Sequence, residues 1–336
     1  MTLYPLIRSI LFTQDPEFIH DVALGALKIP AVSRALPSFL PPPPSCPTTV
    51  WGLQFRNPVG LAAGFDKNAE AINSWAAMGF GFVEIGTVTP RPQHGNPKPR
   101  IHRFPAQRAI VNSMGFPNHG ADAVAKRLSS PRPPGMPIGA NVGKNRGTSI
   151  ESAADDYVEC LRHLYPHADY FALNISSPNT PGLRHLQDAN AIRDLLSAVA
   201  RERDSLATDA GRKPVVVKIA PDLEDDQIGA IVAAAQETGI DGIVATNTTT
   251  DHSALPNHIP LAGGMSGLPL LDLSLRIVRI VRERSGGALP IIGCGGISKR
   301  EHFERMIEAG ASLVQVYTGF VYEGPLIAHH LLHARR

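Results

Sequence analysis

A (β/α)8 barrel, an α/β fold, preceded by a small N-terminal helical extension is the architecture this sequence predicts. Three observations carry the prediction. From residue 50 onward short apolar runs alternate with helix-length segments. Most runs are apolar throughout, as in strands buried on both faces of a parallel sheet. Eight such repeats occupy roughly 280 residues, close to the ~250 typical of a closed barrel. An open doubly wound sheet is the rival, but it usually has fewer strands and a GxGxxG turn after the first, which is absent here.

The strands are expected at Val59–Ala63, Phe82–Gly86, Pro137–Val142, Tyr170–Ile175, Val215–Ile219, Gly242–Ala245, Pro290–Gly293 and Leu313–Val316. Helices are expected between several of them, at Asp66–Met78, Asp188–Arg203, Glu224–Thr238, Leu271–Arg284 and Lys299–Ala309. Residues 1–45 read as a separate extension and 46–336 as the barrel. In the extension Leu3, Leu6, Ile7, Ile10 and Leu11 fall on one helical face. A second helix opens with Asp15 as N-cap and Pro16 at its first position, its apolar set being Ile19, Val22, Ala23, Ala26 and Leu27. Pro41 to Pro44 form a stiff spacer. Two such short helices cannot bury each other fully, so they must lie on something else.

Composition narrows the function. Lys and Arg total 32 against 30 Asp and Glu, a formal charge of +2, which gives no support to a nucleic-acid-coating surface. Hydrophobic residues at 43% supply a sizeable core. Cys46, Cys160 and Cys294 are scattered, without disulfide framework or metal-ligand spacing, as in a reducing compartment. No run approaches the ~18 apolar residues of a membrane span. Arg8 interrupts the N-terminal apolar stretch and no cleavage site follows, which argues against a signal peptide.

In a barrel the active site gathers at the C-terminal strand ends. Just past the expected strands stand Asp66-Lys67, Thr87, Asn141, Asn174, Lys218, Thr246-Asn247, Gly295-Gly296 and Tyr317-Thr318. Amides, hydroxyls and two lysines suit a polar, anionic organic molecule, and no His/carboxylate set for a metal follows the strand ends. The loop Gly293 to Gly296 and the segment Tyr317 to Gly319 admit an anion close to the backbone, a phosphate site of the kind many barrels carry after strands 7 and 8. Ser266-Gly267 could close a third side. The stretch Asn174 to Gly182 is the most specific, although by itself it also fits an ordinary Ser/Asn/Pro turn.

Six segments taken together resemble one family. They are Ala62 to Lys67 (AAGFDK), Glu84 to Pro92 (EIGTVTPRP), Asn112 to Phe116 (NSMGF), Asn174 to Gly182 (NISSPNTPG), Lys218 to Asp222 (KIAPD) and Ala245 to Thr249 (ATNTT). In this order they resemble dihydroorotate dehydrogenase, specifically its quinone-dependent, membrane-associated class 2, from about Tyr4 to Gly324. Ser177, where the soluble class has Cys, and the N-terminal extension mark the class.

The resemblance implies tightly bound FMN and oxidation of dihydroorotate to orotate in pyrimidine synthesis, with electrons passed to a membrane quinone. It makes Ser177 the base for the C5 proton, with Thr180 and Phe116 as gate and relay. Asn112, Asn174, Asn179 and Asn247 match the substrate contacts. Ser113, Met114, Gly115, Phe116 and Thr248 stand beside them, and Lys67 faces the carboxylate. The FMN match covers Ala63, Gly64, Phe65, Asp66, Lys67, Thr87, Asn141, Asn174, Lys218, Thr246, Gly267, Gly296, Tyr317 and Thr318. Thr318 stands where many relatives have Ser, and Phe65 where Leu is common. Phe18, His20 and Arg103 match a quinone tunnel. A monomer without metal is expected, resting on the cytoplasmic face of a bacterial inner membrane. The alternatives are a soluble enzyme of the same chemistry using fumarate or NAD, a non-redox phosphate-binding lyase or isomerase, and an idle barrel with a partner-binding N-terminus.

Overall fold

Alternation along each strand decides what this chain encloses. The computed structural model describes residues 4–256 and 261–333. Eight parallel strands close in chain order: β1 Val59–Leu61, β2 Phe82–Val88, β3 Ile138–Val142, β4 Tyr170–Asn174, β5 Val215–Ile219, β6 Gly242–Ala245, β7 Ile291–Cys294 and β8 Leu313–Val316. β8 returns to β1 with Val314 opposite Val59 and Val316 opposite Leu61. Every expected strand is present, its ends moved by no more than two residues.

One set of strand residues, including Val83, Ile85, Ala140, Phe171, Val217 and Ile243, packs outward in the main core with the helices. The other set points inward and changes character with height. At the base, Phe82, Tyr170, Val216, Val244, Ile292 and Leu313 form an apolar plug with Val50 and Phe55. The last two come from the hairpin Thr48–Val50/Leu53–Phe55, which caps the barrel floor. Gly139 makes room for this layer, since a Cβ there would lie 2.1 Å from Tyr170 Cζ. Two residues further along, the inward positions become Glu84, Lys218, Cys294 and Gln315, so the polar part of the barrel begins one layer above its plug.

Asp66–Met78 is not one helix. Only Ile72–Ala77 is helical, because the buried Asp66 carboxylate winds the preceding chain around itself. It accepts from Glu70 N at 2.8 Å, Ala71 N at 2.9 Å and Trp75 Nε1 at 2.9 Å. The fourth expected helix, Leu271–Arg284, is matched at both ends, and the second runs on as Ala189–Ala210 to Gly211, whose φ of 75° stops it. The helices Ala121–Leu128 and Ala153–Leu164 complete the outer ring without having been expected. A three-stranded antiparallel sheet, also unexpected, joins Ile101–Phe104, Ala109–Asn112 and Gly264–Gly267, and forms one wall of the mouth.

The extension holds three helices, α1 Tyr4–Leu11, α2 Pro16–Leu27 and α3 Pro30–Ala35. Asp15 caps α2 as expected, accepting from Phe18 N at 2.8 Å. Its docking face is not the expected apolar stripe, however. Glu17, His20, Leu24 and Leu27 turn toward the barrel, whereas Val22, Ala23 and Ala26 are exposed and Ile19 is half-buried. On α1, Leu6 and Ile10 are 71% and 70% exposed; Leu3 lies outside the described residues. The barrel grips α1 by polar contacts instead, Tyr4 Oη donating to Val321 O at 2.7 Å and Arg8 Nη1 to Tyr322 O at 2.6 Å.

Candidate active site at the barrel mouth

The floor of the mouth is a buried polar layer. Glu84, fully buried on β2, accepts from Asn141 Nδ2 at 2.8 Å, Gln315 Nε2 at 2.7 Å and Tyr170 Oη at 3.2 Å. Lys218 Nζ lies 3.9 Å from its Oε1. Five strands therefore converge on one carboxylate, and the Tyr170 phenol beside it is pushed well above its ordinary range by burial first and by Glu84 next. Above this layer Thr87 donates to Asn141 Oδ1 at 2.5 Å, and Asn174 Nδ2 donates to Thr87 Oγ1 at 2.8 Å. Thr87 reaches this position because the β2–β3 register shifts after Ile85. Gly86, at φ 98°, permits the shift; a Cβ there would meet Asn141 O at 2.3 Å.

Over this floor opens a cavity that is continuous with solvent. Asn112, Asn174, Asn179 and Asn247 all line it. They form two pairs: Asn179 Nδ2 donates to Asn112 O and Oδ1, both at 3.1 Å, and Asn247 Nδ2 donates to Asn174 Oδ1 at 3.1 Å. Ser177 and Thr248 line it too, with Met114, Gly115 and Phe116. Ser177 Oγ is buried and accepts Asn179 N–H at 3.2 Å. Its loop is clamped by Arg184, which donates to Ser176 O at 3.1 Å, Asp222 Oδ2 at 2.7 Å and Thr248 O at 3.0 Å. Thr180 is buried with its Oγ1 unpartnered, as is Asn179 Oδ1.

Elsewhere in the same cavity stand Ala63, Gly64, Lys67, Lys218 and Thr246, then Gly267, Gly296, Tyr317 and Thr318. Ser266 Oγ and Thr318 Oγ1 are 2.8 Å apart. Gly296 has no space for a side chain, since a Cβ would lie 2.5 Å from Leu271 Cα. Nineteen of the sequence-assigned residues thus meet in one cavity. Ser113, Phe65, Asp66, Asn141 and Thr180 do not line it. Asp66 and Asn141 act from behind by the hydrogen bonds given above. Phe65 packs on Tyr317 at 5.3 Å and on His20 of α2 at 4.8 Å, joining the cavity to the extension through ring contacts.

The three residues matched to a quinone site are not gathered as tightly. Phe18 is 57% exposed on the outer face of α2. Arg103 stacks on Phe12 at 4.5 Å and donates to Leu11 O at 3.3 Å and to Gln14 O. His20 is pushed down to about 3, by burial first and Lys67 next, and is neutral near pH 7. Burial also brings Lys67 down to about 8. Sequence reasoning missed Glu84 and Gln315; the signal was a carboxylate and an amide inside otherwise apolar strand runs. Among the described residues no group of three His, Cys, Asp or Glu could hold a metal.

A profile of the family described as dihydroorotate dehydrogenase matches residues 45–334. A protein of Pseudomonas putida (strain W619) named dihydroorotate dehydrogenase (quinone) is 46% identical over 342 residues, covering 99% of this chain and 98% of its own. One of the same name from Azotobacter vinelandii is also 46% identical, covering 99% and 96%. Among solved structures, DHODH of Eimeria tenella in complex with ferulenol superposes with a TM-score of 0.85 at 38% identity, covering 94% of this chain and 89% of that one.

Proposed function

This chain belongs to the dihydroorotate dehydrogenase family and is an enzyme of its quinone-dependent kind, and from that premise we propose that it works with FMN in the barrel mouth, at the surface of a membrane. The single observation that carries the reading is the cavity itself. One enclosure joins a glycine and hydroxyl cradle, two ammonium groups and a ring of four asparagines. The residues fit the flavin: Gln315 lines the cavity with a buried, unpartnered Oε1, and the glycine positions leave backbone exposed where a phosphate would sit. Gly267, Gly296, Tyr317 and Thr318 would hold that phosphate, with Ala63, Gly64, Thr87, Lys218 and Thr246 around the ring.

Bound FMN supplies the hydride acceptor. The protein supplies the rest. The asparagines offer donor and acceptor on short arms, matched to the alternating edge of a pyrimidine, and Lys67 answers its carboxylate. Ser177 Oγ takes the C5 proton, which the neighbouring ring carbonyl acidifies, while its own hydroxyl proton passes onward, and the Asn179 N–H holds the oxygen in place for both transfers. Thr180, with its free buried hydroxyl, and Phe116 line the proton's way out. Lys218, anchored near Glu84, sets positive charge against the negative charge that reduction brings. Arg184, braced by Asp222, holds the Ser177 loop over the site.

Among the described residues no helix is long and apolar enough to cross a membrane. The exposed Leu6, Ile10, Phe18, Val22, Ile29 and Phe39 instead give α1 to α3 an apolar surface for lying in an interface. His20 and Phe65 then lead from that surface toward Tyr317. The test is dihydroorotate-dependent bleaching of bound flavin followed by reoxidation with added quinone. Protein purified without flavin, or flavin that dihydroorotate does not bleach, would overturn the reading. Removal of residues 1–44 should abolish reoxidation by quinone and spare bleaching at saturating dihydroorotate.

A further inference from the structure

Helix α2 is tied to the substrate side of the cavity by an unbroken run of polar contacts. Glu17, buried under α2, receives Arg100 Nε at 3.2 Å on both oxygens and Arg100 Nη2 at 2.7 Å. Lys98 adds a contact at 3.1 Å. Arg100 spends its remaining terminal nitrogen on two carbonyls, His94 O and Asn96 O, both at 2.7 Å. Asn96 in turn is wedged between two substrate segments. Its N–H donates to Met114 O at 2.9 Å, and its Nδ2 donates to Ser113 O at 2.9 Å and Asn179 O at 3.2 Å. A Cβ on Gly115 would come within 2.8 Å of the Asn96 amide, so the fit leaves no slack. Asn179 closes the run on Asn112.

We propose that Glu17 and Asn96 are positioning residues for the substrate amides, so that the docked state of α2 and the affinity for the pyrimidine carboxylate are coupled. The inference rests on reading Asn112 and Asn179 as substrate contacts. Its physical basis is the guanidinium. Arg100 is as buried as Glu17, and without the carboxylate its charge must draw water or turn to other acceptors. Either response releases the 94–96 turn, and Asn96 transmits the shift to both segments at once. Stretching the hydrogen bonds that these amides offer a substrate is enough to cost binding.

The experiment uses the full-length, FMN-loaded enzyme, with orotate titrated against the absorbance of the bound flavin. Asn179→Ala should weaken orotate about tenfold or more, as loss of a direct contact. Glu17→Gln and Asn96→Ala should each weaken it by about fivefold, at the lower end of measured couplings. Together they should do no worse than the larger single effect, because both act through one path. In Glu17→Gln the KM for dihydroorotate should rise with the maximal rate of flavin reduction nearly kept. Unchanged orotate affinity in Glu17→Gln beside a weakened Asn179→Ala overturns the coupling and leaves the substrate site standing, as do effects that multiply in the double variant. Unchanged affinity in Asn179→Ala overturns the substrate reading itself. If Glu17→Gln does not fold, linkage supplies a second measurement. Orotate should slow proteolysis at the turn between α1 and α2 in the unaltered enzyme, and no slowing overturns the coupling.

Discussion

Lys67 gives the site a titration that binding must follow. It lines both the main cavity and the cleft beneath α2, and among the described residues its ammonium makes no hydrogen bond or ion pair. Burial lowers its pKa to about 8; Asp21, Glu17 and Asp66 pull upward and Arg100 adds to the fall. The sign follows directly. The charged form, which a carboxylate needs, is present below this value and is lost above it. If orotate binds only that form, its affinity follows the protonated fraction: about 90% at pH 7, half at pH 8 and about 10% at pH 9. Affinity should therefore fall about tenfold between pH 7 and 9, or about 1.3 kcal/mol. Orotate titrations at pH 7, 8 and 9, read from flavin absorbance, measure this. Lys67→Met should bind weakly at all three, and Lys67→Arg should flatten the profile with the charge retained. An unaltered enzyme whose affinity stays constant across the range would show that Lys67 does not hold the carboxylate.

The remaining predictions touch other layers. Ser177→Ala should keep FMN but slow flavin reduction by dihydroorotate by about 10²–10⁴-fold, the range for a lost general base; near-normal stopped-flow reduction would move the base elsewhere. Gly139→Ala drives a methyl into the Tyr170 ring, 2.1 Å from Cζ, and should cost about 1–3 kcal/mol in denaturant unfolding. An unchanged midpoint would contradict the packing of the plug. Leu6→Asp with Ile10→Asp should abolish sedimentation with lipid vesicles and spare flavin bleaching by dihydroorotate, since both side chains face away from the barrel; retained sedimentation would exclude α1 as the contact.

The barrel was legible because burial on both faces leaves strands as unbroken apolar runs, and every one of the eight could be placed. A helix start was legible where a cap announces it, as with Asp15 at α2. What failed did so for tertiary reasons. Asp66 looked like a helix start, yet its carboxylate is satisfied by Glu70, Ala71 and Trp75 in a loop. The stripe on α2 announced a face that must lie on something, and the face that meets the barrel is a different one, bearing Glu17 and His20, because Arg100 and Phe65 wait there. Periodicity reports which face is apolar; it does not report whether the apolar face meets protein.

The floor of the site shows the same limit at the level of charge. Lys67 and Lys218 both stand near strand ends, and composition alone does not tell them apart. Closing the barrel separates them. Lys218 has Glu84 within 3.9 Å, so its charge at rest is largely balanced. Glu84 is in turn held by an amide on β3, a phenol on β4 and an amide on β8, none of which neighbours it in sequence. Lys67 has no carboxylate within ion-pair distance among the described residues and feels only the more distant Asp21, Glu17 and Asp66. On the proposed function the substrate carboxylate would find its attraction at Lys67, whereas Lys218 would contribute chiefly when negative charge arrives above it. The proposed division of labour between two identical side chains, which the resemblance implies, finds its physical reason in a single carboxylate in the middle of β2 on which five strands converge.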